Sequence, residues 1–242
     1  MINPKLLTFL RAIKKNNNKE WYEEHKDEYT SLRNEFTALL EAMRDEVATF
    51  DTAVKRNHAK GIKTVKVFRL HRDARFSRNK AKYKTTLSGL ISADVKDPNE
   101  PVYYFSIEPD NKSFIGGGLR MPERVHLDTL RTYISTHYKK MQKTLANQKL
   151  KIHFPNGLST AYKLKKAPQG YDVEHPGIDL LRYKNFTIGK GLSDTEIKTS
   201  DIEQIVCKDF ASLQPINSLL RKAGKQTHTK SQAEAFFTRD NF

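Results

Sequence analysis

The residues of this chain that could do chemistry are concentrated in one basic segment, 60–84. It holds ten Lys or Arg residues and one acid, Asp73, a net of +9 within a chain whose formal net charge is +15. A guanidinium binds a phosphate or carboxylate at two points in one plane, and an ammonium adds a compact point charge. A solvated surface would intersperse acids among so many cations, so this segment predicts an anion-binding site.

The candidate ligand-binding residues lie in the second half of the segment, where Ser77 and Tyr83 would add neutral donors. They are Arg69, Arg72, Asp73, Arg75, Ser77, Lys80, Tyr83 and Lys84. We interpret Asp73 as the salt-bridge partner of Arg69 or Arg75 rather than as a general base, because a carboxylate surrounded by cations is a weak base. Phe76 is expected to anchor the segment in the core.

The rest of the sequence offers few other groups for catalysis. The eight His residues form neither a His-x-His nor a His-Glu-x-x-His set, so no metal site is predicted. There is no Gly-x-Ser-x-Gly elbow and no Walker loop, and no motif implies a cofactor. The glycines at 116–118 are interpreted as a strand end where backbones approach closely. His175 and Glu108 stay minor candidates for a site.

Composition narrows the class of protein. A pI of about 9.7 favours polyanionic partners, which are nucleic acid, anionic lipid or phosphorylated ligands. No apolar run approaches the ~20 residues of a membrane span, so no membrane partner is predicted. The single cysteine, Cys207, excludes an intramolecular disulfide, and the first residues lack the apolar stretch of a secretory signal. These features predict a cytoplasmic protein.

Helices and strands have to position the basic segment, and residue spacing predicts where they lie. Apolar residues at three- and four-residue intervals predict helices over 4–15, 19–49, 122–147, 176–182 and 199–223, the last interrupted near Pro215. β-branched and aromatic runs predict strands over 64–70, 87–95, 102–108, 113–119, 149–154 and 185–188. The strands at 87–95 and 102–108 are expected to form an antiparallel hairpin with 113–119 beside it.

The predicted fold is α+β, a mostly antiparallel sheet packed with several helices. It is expected to form a single domain over residues 3–224, followed by a polar C-terminal tail at 225–242.

Several motifs taken together resemble a known family. They are Asn17-Asn18-x-Glu20-Trp21, the block from Arg69 to Thr85 with Arg72-Asp73-x-Arg75-Phe76-Ser77 at its centre, Gly116-Gly117-Gly118-Leu119, and Pro168-x-Gly170-Tyr171-Asp172 with His175-Pro176. Over about residues 3–190, and on to 224, the chain is similar to the bacterial and fungal conserved hypothetical proteins of DUF2461. The family pattern has Tyr where this chain has His71, and Pro where it has Lys82. The resemblance implies a shared fold and a shared pocket, and it implies no reaction.

Three functions are compatible with these residues. The first is a non-enzymatic binder of a polyanion, with nucleic acid favoured. The second is an enzyme acting on a phosphorylated or carboxylated small molecule, in which Asp73, Glu108, His175 or Tyr83 would serve as acid or base. The third is a structural or accessory protein in which the Arg block is internal architecture and pairs with carboxylates to tie the loop to the helices.

Overall fold

The structure is a computed structural model that describes residues 2–72 and 81–225. In this part of the chain the helices are α1 (Lys5–Lys15), α2 (Lys19–Glu24), α3 (Lys26–Phe50), α4 (Thr52–Ala59), α5 (Arg124–Leu145), α6 (Gln148–His153), α7 (Ile178–Leu181), α8 (Asp194–Ile197) and α9 (Ile202–Gly224). The strands are β1 (Val65–Val67), β2 (Leu87–Ser92), β3 (Val102–Ile107), β4 (Ser113–Leu119) and β5 (Phe186–Leu192). The predicted α+β class is confirmed. The predicted tail, from residue 226 onward, lies outside the described residues.

Polar residues stand at both ends of α2. Asn18 caps α2, because its side-chain oxygen accepts a hydrogen bond from Trp21 N at 2.8 Å. The sequence predicts one helix over 19–49, but the chain leaves the helical conformation at His25, which has φ −109° and ψ 16°. The His25 ring stacks on Trp21 with 4.0 Å between ring centroids. This stacking holds the break between α2 and α3.

The five strands lie in chain order, β1-β2-β3-β4-β5, and each is antiparallel to its neighbours. The predicted hairpin of β2 and β3 is confirmed, as is the position of β4 beside it. β5 is the predicted edge strand, and it is longer than expected, pairing with β4 from Phe186 opposite Leu119 to Leu192 opposite Ser113. In such a sheet alternate residues of every strand point to opposite faces.

Helices α3 and α9 cover one face of the sheet. Phe36 of α3 contacts Phe105 at 6.0 Å between ring centroids, and Phe210 of α9 contacts Tyr103 at 5.3 Å. Tyr104 lies between those two strand residues and therefore points to the opposite face. We call that opposite face the outer face. By the strand register it carries Lys66, Leu90, Tyr104, Phe114, Gly116, Thr187 and Gly189.

Two glycines of β4 allow its neighbours to approach closely. A Cβ on Gly117 would lie 3.0 Å from Leu213 Cδ1 of α9. Gly118 has a φ of +105°, which favours glycine, and a Cβ there would lie 2.0 Å from Phe186 O of β5. The close backbone approach expected at 116–118 is confirmed.

A buried group of charged residues joins α9 to the sheet and to the start of α4. Arg221 donates to both carboxylate oxygens of Asp51 at 3.2 Å, and its Nε donates to Glu100. The hydroxyl of Tyr103 donates to Asp51 at 2.9 Å, and Asp51 caps α4 by accepting from Ala53 N at 3.0 Å. Burial lowers the pKa of Arg221, but the carboxylates of Glu100 and Asp51 raise it above its ordinary value. The buried guanidinium therefore stays charged.

Three expectations about helices are wrong. The sequence predicts a strand over 149–154, but this segment is α6, which Asn147 caps by accepting from Leu150 N at 3.3 Å. In the helix predicted over 122–147 the apolar pattern also predicts that Val125 faces inward, yet this side chain is 80% exposed, because two residues along a helix turn it about 200° away from the buried Leu127. Helix α9 continues through Pro215, since buried residues on both sides pack into the core.

Two short helices have no counterpart in the prediction. Helix α4 buries only Ala53 and Val54, which is too few residues to give a periodic signal. Helix α8 has four residues and begins at a capping box formed by Ser193 and Glu196. None of the helices in the described part of the chain is long and apolar enough to cross a membrane.

Replacing Arg221 by Met should lower the free energy of unfolding by about 3–5 kcal/mol, because the Asp51 and Glu100 carboxylates would stay buried without their cation. Tyr103→Phe should cost only about 1 kcal/mol, since Asp51 keeps its other partners. Urea unfolding followed by circular dichroism measures both changes. Equal, small losses in the two variants would show that the buried charges do not join α9 to the sheet.

Candidate anion-binding site

The basic segment leaves the sheet after β1 and returns to it before β2 as two paired arms, residues 68–72 and 81–84. Arg72 N donates to Lys82 O at 2.9 Å, and Lys84 N donates to Leu70 O at 2.8 Å. His71 and Tyr83 are antiparallel bridge partners between these bonds. The backbone ladder thus holds Arg69 and Arg72 on one arm beside Lys84 on the other.

A cluster of three rings fixes the arms against α2. The Tyr83 ring stacks on Tyr22 with 4.4 Å between centroids and an interplanar angle of 20°. His71 contacts both rings edge-on, at 4.9 Å from Tyr83 and 5.1 Å from Tyr22. Burial raises the pKa of Tyr83, and the neighbouring Tyr22 and acids of α2 raise it further. The sequence counts Tyr83 among the ligand donors, but its ring is enclosed in the core, where it positions the arm.

Asn17 gives the returning arm a second attachment. Its side-chain amide donates to Tyr83 O at 3.0 Å, and its side-chain oxygen accepts from Tyr83 N at 3.0 Å. The side chain therefore pairs with Tyr83 as a neighbouring strand would. This contact explains why an Asn precedes the capping Asn18 in the turn between α1 and α2.

The positive charges of the arms are held close together. Burial lowers the pKa of Lys84 below its ordinary value, and repulsion from Arg69 and Arg72 lowers it further. Within residues 2–72 and 81–225, no carboxylate lies within ion-pair distance of any of these three cations. We call Arg69, Arg72 and Lys84 the cation cluster. An anion placed among them would relieve their mutual repulsion.

A phenyl ring lies beside the cation cluster. The Phe68 centroid is 5.7 Å from Lys84 Nζ and 5.5 Å from Lys66 Nζ. Phe68 N donates to Ser88 O at 2.9 Å, so the strand pairing continues one residue beyond β1 and places this ring on the outer face. Sequence reasoning missed Phe68. The signal that could have found it is its spacing of two residues from Lys66, which puts both side chains on one face of a strand.

Four of the eight candidate ligand-binding residues lie in the described part of the chain. Arg69, Arg72 and Lys84 come together in the cation cluster, and Tyr83 supports it from the core. The structure does not describe the other four, Asp73, Arg75, Ser77 and Lys80, nor Phe76. The interpretations of Asp73 as a salt-bridge partner and of Phe76 as a core anchor therefore stay predictions.

The two minor candidates have separate roles in the fold. His175 Nε2 lies 3.1 Å from Ser135 O, and its Nδ1 accepts from Gly177 N at 2.9 Å. Both ring nitrogens are thus engaged with the main chain, far along the chain from the arms. The Glu108 carboxylate accepts from Thr85 Oγ1 at 3.5 Å, next to the returning arm. No group of three His, Cys, Asp or Glu side chains in the described residues is arranged to hold a metal ion.

Comparison with known proteins identifies the relatives of the chain. A family model described as conserved hypothetical protein (DUF2461) matches residues 5–218. No curated protein and no solved structure matches the chain. The matched range contains both arms, the cation cluster and all five strands.

Asn17→Ala should lower the free energy of unfolding by about 1–3 kcal/mol, because Tyr83 would lose two hydrogen bonds at a half-buried position. Asn16→Ala is the matched control, since among the described residues the Asn16 side chain bonds Ala12 O of its own helix, at 3.1 Å. Urea unfolding of the two variants measures the difference. If Asn16→Ala cost as much as Asn17→Ala, the attachment of the arm by Asn17 would be refuted.

Proposed function

We propose that this chain, which belongs to the DUF2461 family of conserved hypothetical proteins, binds a polyanion, namely a nucleic acid, at the cation cluster. The description of the family names no activity. The observation that carries this proposal is the placement of Arg69 and Arg72 beside Lys84: burial lowers the pKa of Lys84, and these two guanidinium groups are close enough to lower it further. Repulsion among the three cations is unfavourable in the free protein, and attraction to phosphates that lie among them would offset it.

The architectural function has less support. It requires Arg–carboxylate pairs that tie the loop to the helices, and no such pair involves Arg69 or Arg72 in the part of the chain that the structure describes. Backbone bonds, the Tyr83 ring and the Asn17 side chain hold the arms instead. Among the described residues, the arms therefore keep their place without using the two guanidinium groups.

The enzymatic function needs an acid or base next to the bound anion. Of the groups considered for this role, His175 has both ring nitrogens bonded to the main chain, and the Tyr83 ring is buried against Tyr22. Glu108 lies next to the returning arm, through its bond with Thr85, and Asp73, the fourth candidate, is outside the described residues. Binding without a reaction is the function that this geometry supports best.

The double variant Arg72→Ala/Lys84→Ala should bind a short fluorescent oligothymidylate more weakly and with a smaller dependence on salt. Each lost phosphate contact reduces the slope of log affinity against log salt by about 0.7 for a single strand, so two contacts should reduce it by about 1.4. Fluorescence anisotropy over a series of salt concentrations measures this slope.

The control for this experiment is Lys140→Ala/Lys143→Ala, which removes the same charge from exposed positions of α5. General electrostatic attraction would weaken binding equally in both double variants, whereas a defined site predicts that the α5 variant retains the wild-type slope. Absence of binding to the oligonucleotide at low salt, or equal losses in the two variants, would contradict the proposal.

A further inference from the structure

Three aromatic rings form a row across the outer face of the sheet. The centroids of Phe68 and Tyr104 are 6.4 Å apart, and those of Tyr104 and Phe114 are 6.2 Å apart. These residues come from the end of β1, from β3 and from β4, so the row runs across the strands. We call these three residues the aromatic row. All three are on the face opposite α3 and α9.

The ring at one end of the row lies against bare backbone. A Cβ on Gly189 would lie 2.1 Å from Phe114 Cζ, and a Cβ on Gly116 would lie 3.1 Å from Phe114 Cε1. The two glycines thus provide the space that the ring occupies over β4 and β5. Even so, Phe114 is 41% exposed. A large apolar ring that is supported from below and open to solvent is suited to stacking with a flat ligand.

The other end of the row meets the positive charge. Lys66 and Lys84 both place their ammonium groups within 6 Å of the Phe68 centroid, at 5.5 and 5.7 Å. Lys84 is a member of the cation cluster, so the aromatic row and the cluster are one continuous surface. Aromatic rings interleaved with cations are the combination that binds unpaired nucleotides, with stacking for the bases and charge for the phosphates.

The spacing of the rings distinguishes a single strand from a duplex. Stacked bases in a duplex rise by about 3.4 Å per nucleotide, whereas the ring centroids here are 6.2–6.4 Å apart. Bases resting on successive rings would therefore have to be separated from one another, as they are in an extended single strand. A duplex keeps its base faces stacked inside, so it could present phosphates and groove edges to this surface but no base faces for stacking.

We propose that the nucleic acid is single-stranded and that its bases stack on Phe68, Tyr104 and Phe114. Its phosphates contact Lys66 and the cation cluster. This inference rests on the proposed function, since it names the form of nucleic acid that the same site prefers. The outer face then acts as the stacking platform, and the cation cluster acts as the anchor for the sugar–phosphate chain.

The wild-type protein alone can test the inference. Fluorescence anisotropy at low salt would compare an oligothymidylate, an abasic oligonucleotide of the same length and charge, and a duplex of that length. Oligothymidylate should bind at least about tenfold more tightly than the abasic chain, because each stacked base contributes to affinity. Oligouridylate is a fourth ligand in this comparison. Its affinity relative to that of oligothymidylate shows whether the bound strand is RNA or DNA.

Variants then locate the stacking. Phe114→Leu keeps apolar contact with Gly189 but removes the ring, and it should lower affinity for oligothymidylate on the order of tenfold while leaving affinity for the abasic chain unchanged. Phe114→Trp should retain binding. Ile152→Ala, at an apolar position of α6 that is 70% exposed, is the control and should bind like the wild type.

A second pair of variants covers the case in which Phe114→Leu fails to fold. Tyr104→Phe should bind oligothymidylate like the wild type, and Tyr104→Leu should bind it on the order of tenfold more weakly. If the abasic chain and the duplex bind as tightly as oligothymidylate, and all with the same salt dependence, the stacking inference is wrong and the proposed function stands. If none of these ligands binds at low salt, both are wrong.

Discussion

Helix α9 lies across one face of the sheet. The positive charge of its Arg221 side chain is buried there and has to be neutralised. Asp51 and Glu100 do this for Arg221, and Tyr103 donates a further hydrogen bond to Asp51. In a second pair the buried charge of α9 is negative: the Asp209 carboxylate lies 2.9 Å from Nζ of Lys190, at a position of β5 that faces α9. Removing one partner of a buried pair is strongly destabilising. These pairs therefore join α9 to the face of the sheet on which its apolar residues are buried.

That choice of face determines what the other face can do. An antiparallel sheet that packs helices on one side can present its other side to solvent or to a ligand. Here the outer face carries an aromatic row that ends at Phe114, over Gly189, and begins at Phe68, under two ammonium groups. The arms that extend from β1 and β2 bring Arg69 and Arg72 to the same end of the row. The groups that we propose for stacking and for phosphate binding therefore lie side by side on one surface.

The sequence predicted the parts of this arrangement that depend on local pattern. Strand alternation indicated β2, β3 and β4, and the clustering of Lys and Arg between residues 60 and 84 located the arms. Other features depend on contacts between distant parts of the chain. The break at His25 is held by stacking on Trp21, and Tyr83 is buried because Tyr22, far away in sequence, lies against it. The aromatic row needs the register of three strands, which no single segment reveals. A short polar cap at Asn147 outweighed the strand-like residues that follow it.

The most direct test of a single strand bound across the outer face is a titration of isotopically labelled protein with oligothymidylate, followed by amide chemical shifts in NMR. The shifts should be largest at Lys66, Tyr104, Gly116 and Gly189 and in the arms, and small in α5 and α6. Shifts confined to the lysines of α5 and α6, with the outer face unchanged, would contradict it.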